Sequence, residues 1–254
     1  MTRTQRIRQR ILITGASSGL GAGMARAFAA RGRDLALCAR RIDRLEELKA
    51  ELTQRYPGIT VAVAELDVND HDRVPQVFQA LADGLGGLDR VIVNAGVGKG
   101  ARLGSGKVWA NKATIETNLV SALVQIEAAL EIFNRQESGH LVLVSSVLGN
   151  KGVAGVKAAY AASKAGVSSL GESLRADYAS GPISVTVLEP GYIESEMTAK
   201  SESTMLMTDT ETGVAKLVEA IEKEKGRAIV PAWPWVPLVA MLKALPPRFT
   251  KPFA

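Results

Sequence analysis

Tyr160 and Lys164 lie four residues apart in the segment AAYAASKAG. In a helix this spacing places both side chains on one face, one turn apart, so that an ammonium can approach a phenol oxygen. A tyrosine has an ordinary pKa of about 10, and a nearby positive charge lowers that pKa by stabilising the anion. The pair is therefore a candidate for proton transfer. The alternative is an ordinary helix face on which the lysine extends into solvent.

A glycine-rich segment near the N-terminus is a candidate for binding a pyrophosphate. It reads TGASSGLG over 14–21 and directly follows the apolar run ILIT. Glycines let the backbone turn tightly and approach a phosphate at the N-terminus of the following helix. The candidate contacts are Gly15, Ser17, Ser18, Gly19, Leu20 and Gly21. The alternative is a strand-to-helix turn that binds nothing.

Arg40 and Arg41 follow the second apolar run. An NAD-binding unit usually carries a carboxylate at this place, which holds the ribose 2'-hydroxyl. Guanidinium groups suit a 2'-phosphate instead, because they form charge-assisted and often bidentate hydrogen bonds with it. The sequence therefore predicts NADP(H) in preference to NAD(H). The alternative is a pair of solvated arginines at the start of a helix.

Seven short apolar runs alternate with amphipathic stretches along the chain. The runs lie at 11–14, 35–38, 61–64, 91–94, 141–146, 183–189 and 228–231, and helical patterns lie near 20–31, 42–55, 71–84, 108–134, 160–179 and 210–225. This alternation predicts an α/β fold with a doubly wound parallel sheet of about seven strands and helices on both faces. Ligands of such sheets bind beyond the carboxyl ends of the strands, and the candidate residues follow the apolar runs.

The composition restricts the class of protein. The 254 residues are 46% hydrophobic and 22% charged, which suffices for a core without disulfides, and we expect one domain over 1–254. Cys38, His71 and His140 are scattered, so we predict no metal site. The first apolar stretch is too short for a secretory signal, and a cytoplasmic location is expected. The basic residues behind the net charge of +5 do not interleave with aromatics, which argues against nucleic acid as a partner.

Seven motifs occur in the order typical of the short-chain dehydrogenase/reductase family, which the chain resembles from about residue 11 to residue 198. They are TGASSGLG at 14–21, LDV at 66–68, NAG at 94–96, TNL at 117–119, SSVLG at 145–149, YAASK at 160–164 and EPGYIES at 189–195. The resemblance implies a Rossmann-type fold and an oxidoreductase that interconverts a carbonyl and an alcohol by hydride transfer with a nicotinamide cofactor. It also implies a homodimer or homotetramer.

The resemblance assigns catalytic roles to four residues. Tyr160 is implied to be the general acid/base, and Lys164 to lower its pKa and hold the nicotinamide ribose. Ser146 is implied to donate to the substrate oxygen, with the adjacent Ser145 as the alternative, and Asn118 to anchor the water of a proton relay. A carbonyl that accepts hydride develops negative charge on oxygen, which two hydroxyl donors can stabilise. For Asn118 the alternative is a solvent-facing side chain.

The same resemblance implies further cofactor contacts at the strand ends. Besides Tyr160 and Lys164 they are Asp67, Val68, Asn94, Ala95, Gly96, Pro190, Gly191, Ile193 and Ser195. Ser195 stands where relatives often have threonine, and it keeps the hydroxyl. For Asp67, capping of a helix N-terminus is nearly as good an explanation.

Two segments bear on the substrate. The Met-rich stretch 196–210 resembles a substrate-covering flap, and flexible thioethers fit irregular apolar ligands, although methionines also fill ordinary cores. The apolar tail 232–254 predicts a short helix over PLVAMLKAL and has three candidate uses: subunit packing, a pocket wall, or a peripheral membrane contact. We expect a medium or large apolar ketone or alcohol as substrate, such as a lipid-like, steroid-like or aromatic ketone, with reduction as the physiological direction.

Two other functions fit parts of the pattern. A catalytically idle NADP(H)-binding sensor or scaffold would share the fold and the glycine turn, but it would not need all four catalytic candidates. A sugar-nucleotide epimerase or dehydratase shares the Tyr-x-x-x-Lys spacing, but it usually has a longer C-terminal region than this chain.

Overall fold

The apolar runs form the strands of one parallel sheet. The computed structural model describes residues 7–196, 198 and 206–246. The strands are β1 Arg10–Thr14, β2 Asp34–Ala39, β3 Val61–Glu65, β4 Arg90–Val93, β5 Gly139–Val144, β6 Ile183–Pro190 and β7 Arg227–Val230. Their order is β3-β2-β1-β4-β5-β6-β7, and all neighbours run parallel. The order reverses direction between β1 and β4, where such sheets open a crevice for ligands.

Helices cover both faces of the sheet, as the sequence predicted. They are α1 Gly19–Ala29, α2 Ile42–Arg55, α3 Arg73–Leu85, α4 Val108–Ile115, α5 Ser121–Gln136, α6 Ala158–Asp177, α7 Thr210–Glu222 and α8 Ala232–Ala244. Successive residues of β1 point to opposite faces, so Ile11 and Ile13 join the core with α1, α2 and α7, whereas Leu12 joins the core with α3, α5 and α6. Cys38 is fully buried, and burial raises the pKa of its thiol to about 12.

One predicted helix has a different course. The pattern at 108–134 predicted a continuous helix, but a π-helical turn, Glu116–Val120, separates α4 from α5. Asn118 lies in this turn, and its side chain bonds to the backbone of Val97, which lies outside the helix. The short π-helical segment turns a polar side chain inward, a placement that a regular apolar period does not reveal.

The C-terminal part of the described chain packs over the carboxyl edge of the sheet. Trp235 and Val239 of α8 are buried in a third apolar cluster with Val147, Leu148 and Val153. Other side chains of the same helix face outward, with Trp233 and Met241 exposed. No helix within the described ranges is both long and apolar enough to cross a membrane.

A polar network lies at the opposite, amino edge of the sheet. The fully buried His140 accepts a hydrogen bond at Nδ1 from Arg90 Nε, 2.9 Å away, so its Nε2 carries the proton that is donated to Thr186 Oγ1 over 2.8 Å. Burial and the neighbouring guanidinium keep the pKa of His140 well below its ordinary value. Glu224 accepts two hydrogen bonds from Arg8. The charges of this network are therefore paired.

Candidate active site

The glycine turn after β1 needs its glycines for close packing. Gly15 has a φ of +65°, and a Cβ added there would lie 2.9 Å from the Cα of Ala95. A Cβ added at Gly21 would lie 2.4 Å from the carbonyl oxygen of Gly15. The turn leads into α1, whose first residues have no capping hydrogen bond from the side chain of Ser18. Its backbone N–H groups are thus oriented for an anion.

Thr14 holds the ends of β1 and β4 together, a role that the sequence did not reveal. Its buried hydroxyl accepts from the backbone N–H of Asn94 at 3.0 Å and of Ala95 at 3.1 Å. The amide of Asn94 donates in return to the carbonyl of Thr14 at 2.8 Å. The predicted cofactor contacts Asn94, Ala95 and Gly96 therefore lie at the base of the crevice, at the point where the strand order reverses. The sequence signal for this role of Thr14 is a hydroxyl residue at the end of a predicted central strand.

Arg41 lies across the glycine turn, where its guanidinium is held in place by two serines. Its Nε donates to Ser17 Oγ at 3.2 Å, and its Nη2 donates to Ser18 Oγ at 2.7 Å. The structure thus brings Arg41, the predicted contact of a 2'-phosphate, together with Ser17 and Ser18, the predicted contacts of a pyrophosphate. Arg40 is exposed and makes no hydrogen bond or ion pair within the described residues. The two arginines therefore differ in how firmly they are placed.

A carboxylate that the sequence did not nominate meets this arginine cluster. Glu196 Oε1 lies 2.6 Å from Arg44 Nη1, and its Oε2 lies 3.3 Å from Arg41 Nη1. The hydrogen bond from Arg44 and the nearby charge of Arg41 lower the pKa of the Glu196 carboxyl, and Ser18 contributes a further hydrogen bond. Arg44 lies one helical turn after Arg40. This spacing could have indicated from the sequence that Arg44 is a third cation beside Arg40 and Arg41.

The two adjacent serines after β5 face different partners. Ser146 Oγ accepts from the N–H of Leu148 at 3.2 Å, and its hydrogen bond with Tyr160 favours the tyrosinate, as a donor to the phenol oxygen would. Ser145 Oγ is turned away, bonding to the carbonyl of Lys164 at 2.7 Å and to Ser168 Oγ at 2.8 Å. The geometry therefore favours Ser146 as the donor at the site and gives Ser145 a structural contact.

Lys164 is buried, but its ammonium is engaged by the backbone. Nζ donates to the carbonyl of Val144 over 2.8 Å, and burial lowers the pKa of Lys164 to about 8. The pKa of Tyr160 is raised, because burial outweighs the hydrogen bond with Ser146 and the neighbouring Tyr192 adds to the rise. The expected lowering of the Tyr160 pKa by Lys164 is therefore not seen in this arrangement. Helical spacing alone does not decide where a flexible lysine ends.

Asn118 is buried at 1% exposure and is not the solvent-facing residue of the alternative explanation. Its Oδ1 accepts from the N–H of Val97 at 2.8 Å, and its Nδ2 donates to the carbonyl of Val97 at 2.9 Å and to Ser163 Oγ at 3.2 Å. One acceptor position on Oδ1 remains. A Cβ added at Gly96 would lie 3.1 Å from this oxygen and 3.5 Å from Lys164 Nζ, so a glycine there keeps both groups close.

The remaining predicted contacts lie along the same edge. Asp67 Oδ1 accepts from the N–H of Asn69, and because α3 begins at Arg73, the helix-capping explanation for Asp67 is wrong. Val68 is buried in the core. After β6, a Cβ added at Gly191 would lie 2.1 Å from Trp235 Nε1, so only glycine fits there.

The segment after Gly191 returns to the glycine turn. Ile193 is buried and pairs with Thr208 in an isolated parallel bridge. A Cβ added at Gly19 would lie 3.4 Å from the Cβ of Ser195. Ser195 is therefore at the glycine turn, where the resemblance implied a cofactor contact. Of the segment 196–210, residues 197 and 199–205 lie outside the described residues.

An aromatic wall lies beside Tyr160. Tyr192 and Trp235 stack edge to face with ring centroids 5.4 Å apart, and Lys157 Nζ lies 3.3 Å from the hydroxyl of Tyr192. Both Tyr160 and Tyr192 pack against the third apolar cluster, which includes Trp235. Of the three candidate uses of the tail, the position of Trp235 fits a pocket wall. Residues 247–254 lie outside the described residues.

Comparisons with known proteins agree with this geometry. Residues 9–206 match the family described as short chain dehydrogenase. A protein of Mycobacterium tuberculosis named as an uncharacterised oxidoreductase is 78% identical over 247 residues, which cover 97% of this chain and 98% of that protein.

Solved structures agree as well. An alcohol dehydrogenase from Thermococcus sibiricus, complexed with 5-hydroxy-NADP, has a TM-score of 0.77 at 25% identity over 87% of this chain and 95% of that one. An NADPH-dependent 3-quinuclidinone reductase from Rhodotorula rubra has a TM-score of 0.78 at 26% identity over 87% and 89%.

Proposed function

The chain belongs to the short-chain dehydrogenase family, and from that premise we propose that it is an NADP(H)-dependent oxidoreductase that interconverts a carbonyl and an alcohol by hydride transfer. One observation carries the proposal. The side chain of Ser146 lies close enough to Tyr160 to lower the pKa of its phenol, and Ser146 directly follows β5 at the carboxyl edge of the sheet, near the crevice at which the strand order reverses. A sensor or scaffold would have no use for two hydroxyl groups placed in this way.

The residues of the crevice fit a dinucleotide. Added Cβ atoms at Gly15 and Gly21 would fill the turn, and the uncapped start of α1 offers backbone donors to a pyrophosphate. Arg41 and Ser18 offer donors to a 2'-phosphate beyond the end of β2. When bound, the nicotinamide supplies or accepts the hydride. Two similar solved structures, whose names include 5-hydroxy-NADP and NADPH, support NADP(H) over NAD(H).

Tyr160 is the proposed general acid. Burial raises its pKa, which keeps the phenol protonated at neutral pH, and a protonated phenol is the form needed to deliver a proton to a carbonyl oxygen. Ser146 can donate a second hydrogen bond to the same oxygen as its negative charge develops. The raised pKa therefore supports reduction as the favoured direction, since oxidation would need the tyrosinate.

Lys164 and Asn118 are proposed to support the proton transfer. With a pKa of about 8, Lys164 is largely an ammonium at neutral pH, and it lies in a pocket that Gly96 keeps open. Its positive charge favours the transition state in which Tyr160 gives up its proton. The free acceptor position on Asn118 Oδ1 can hold a water that resupplies that proton.

The proposed substrate is a medium or large apolar ketone or its alcohol. The wall beside Tyr160 is formed by Tyr192, Trp235 and the apolar side chains of the third cluster, which favour apolar surface in the ligand. Levodione reductase, a similar solved structure with a TM-score of 0.79 at 25% identity, is by its name a ketone reductase, which supports this class.

A turnover panel tests the proposal. Loss of NADPH or NADH absorbance is followed against ketones, aldehydes and quinones, with the wild type, Tyr160→Phe and the control Tyr178→Phe. Tyr178 lies at the other end of the same helix, roughly 27 Å away along its axis, and its hydroxyl bonds only weakly to Asn134 at 3.4 Å. We expect turnover with NADPH that Tyr160→Phe loses and Tyr178→Phe keeps. Unchanged turnover in Tyr160→Phe would refute the assignment, and tight NADPH binding without turnover on the whole panel would favour the sensor or scaffold.

A further inference from the structure

We propose that Glu196 is an internal anion that competes with the 2'-phosphate of NADP(H) for Arg41 and Arg44, and thereby sets how strongly the protein discriminates NADP(H) from NAD(H). The inference rests on the proposed function, because it concerns the phosphate end of the same cofactor site. Glu196 restrains cofactor affinity, whereas the other residues of the site favour it.

The geometry places the carboxylate on the donors that a phosphate would need. Arg44 Nη1 donates to Glu196 Oε1 at 2.6 Å, and Arg41 donates to Oε2 from Nη1 at 3.3 Å and from Nη2 at 3.4 Å. Ser18, which lies in the glycine turn, also hydrogen-bonds to this carboxyl group. The contacts span the glycine turn, α2 and the segment that follows Ser195. A carboxylate thus lies where the sequence predicted the 2'-phosphate.

The arginine donors cannot serve both anions fully. A guanidinium has five N–H groups. In Arg41 one is used by Ser17, one by Ser18 and two by Glu196, which leaves one. A phosphate seated on Arg41 through a pair of parallel hydrogen bonds must therefore take at least one donor from Glu196 or from the two serines, and a pair formed by Nη1 and Nη2 includes a donor that Glu196 uses.

Charge adds to this competition. A carboxylate and a phosphate held by the same guanidinium groups repel each other, and that repulsion weakens binding of the phosphate. Arg41 and Glu196 have side-chain exposures of 40% and 56%, so their ion pair is hydrated and can exchange partners. A ribose without the 2'-phosphate brings no charge to this place and does not contest the arginines. Glu196 should therefore reduce affinity for NADP(H) while leaving affinity for NAD(H) nearly unchanged.

Binding of two nucleotide fragments to the full chain tests the inference without any substrate. Adenosine 2',5'-bisphosphate carries the phosphate in question, and adenosine 5'-monophosphate lacks it. Dissociation constants are measured by calorimetry for the wild type, Glu196→Gln, Glu196→Ala and the control Glu194→Gln. Glu194 is exposed two residues away, and its carboxylate has no hydrogen bond or ion pair in the described part of the chain.

We expect both Glu196 variants to bind the bisphosphate on the order of three- to fivefold more tightly than the wild type, with the monophosphate changed less than twofold and Glu194→Gln unchanged. High salt should shrink the gain, because screening weakens the repulsion. Equal or weaker bisphosphate binding by the Glu196 variants, in a wild type that does prefer the bisphosphate, would overturn this inference alone. A wild type without that preference would overturn the proposed use of NADP(H) as well.

Discussion

Alanine substitutions at the adjacent residues Ser145 and Ser146 are predicted to have different effects: Ser146→Ala should lower turnover, and Ser145→Ala should lower stability. Ser146→Ala removes a donor from the proposed reacting oxygen, and loss of one such donor lowers kcat by about 10²- to 10³-fold. Ser145 is 2% exposed and bonds to the carbonyl of Lys164 and to Ser168 at 2.7 and 2.8 Å, so Ser145→Ala removes two buried hydrogen bonds. Such a loss costs about 1–3 kcal/mol of folding free energy.

The assay pairs turnover with thermal unfolding in the same buffer. We expect Ser145→Ala to lower Tm by roughly 2–10 °C while keeping kcat within about tenfold of the wild type. Ser146→Ala should keep Tm within a few degrees, since it loses one 3.2 Å bond from Leu148 and the contact with Tyr160, and should lose kcat without a matching rise in KM. The reverse pattern, with activity lost in Ser145→Ala and kept in Ser146→Ala, would refute the assignment of the two hydroxyl groups.

Three further substitutions follow from the geometry. Gly21→Ala places a Cβ 2.4 Å from the Gly15 carbonyl, so nucleotide affinity should fall at least about tenfold in a calorimetric titration. Burial lowers the pKa of Lys164 to about 8 from 10.5, so the wild type should gain about 3 kcal/mol of stability between pH 8 and pH 10.5, measured by urea unfolding, and Lys164→Met should not. Glu224 has a pKa of about 2, although burial alone would raise it, because Arg8 and its neighbours favour the carboxylate. The wild type should therefore lose about 2 kcal/mol between pH 5 and pH 3, because Glu224 of the unfolded chain, with its ordinary pKa of 4.5, takes up a proton in this range while Glu224 of the folded protein stays ionised. Parallel pH profiles for the wild type and Glu224→Gln would contradict this.

The strands and most of the helices were predictable because their signals are local. Each apolar run became a strand, since a central parallel strand is buried on both faces and needs apolar residues throughout. The glycine turn was predictable because its motif is local, although the close contact that requires Gly15 is made with Ala95 after β4. The π-helical turn at Asn118 was not, since its cause is a hydrogen bond to Val97, and the sequence does not say which loop approaches the helix.

The polar contacts of the site were predictable only in part. Ser146 and Arg41 carry reactive or charged groups after strand ends, and that placement made them candidates from sequence. Tyr160 lies in α6 and was a candidate because of its spacing from Lys164. Glu196 was not predicted as a site residue, because an exposed glutamate is by default a solvated charge. Its ion pair with Arg41 also joins segments 155 residues apart, which the sequence does not reveal. The target of the Lys164 ammonium was missed because helical spacing does not show whether a flexible side chain reaches a phenol oxygen or the Val144 carbonyl.

Buried charges at the two edges of the sheet differ in whether an opposite charge compensates them. A compensated charge supports the fold, whereas an uncompensated one points to a candidate functional site. At the amino edge, Arg90 is 1% exposed and bonds to both Glu222 and His140, so its charge is compensated and the network supports the fold. At the carboxyl edge, the Lys164 ammonium is equally buried but has only a carbonyl partner among the described residues, and its lowered pKa records the resulting cost. A fold selected for stability alone would place an apolar side chain there. That Lys164 is charged in so unfavourable a place is a physical reason to assign this edge to chemistry.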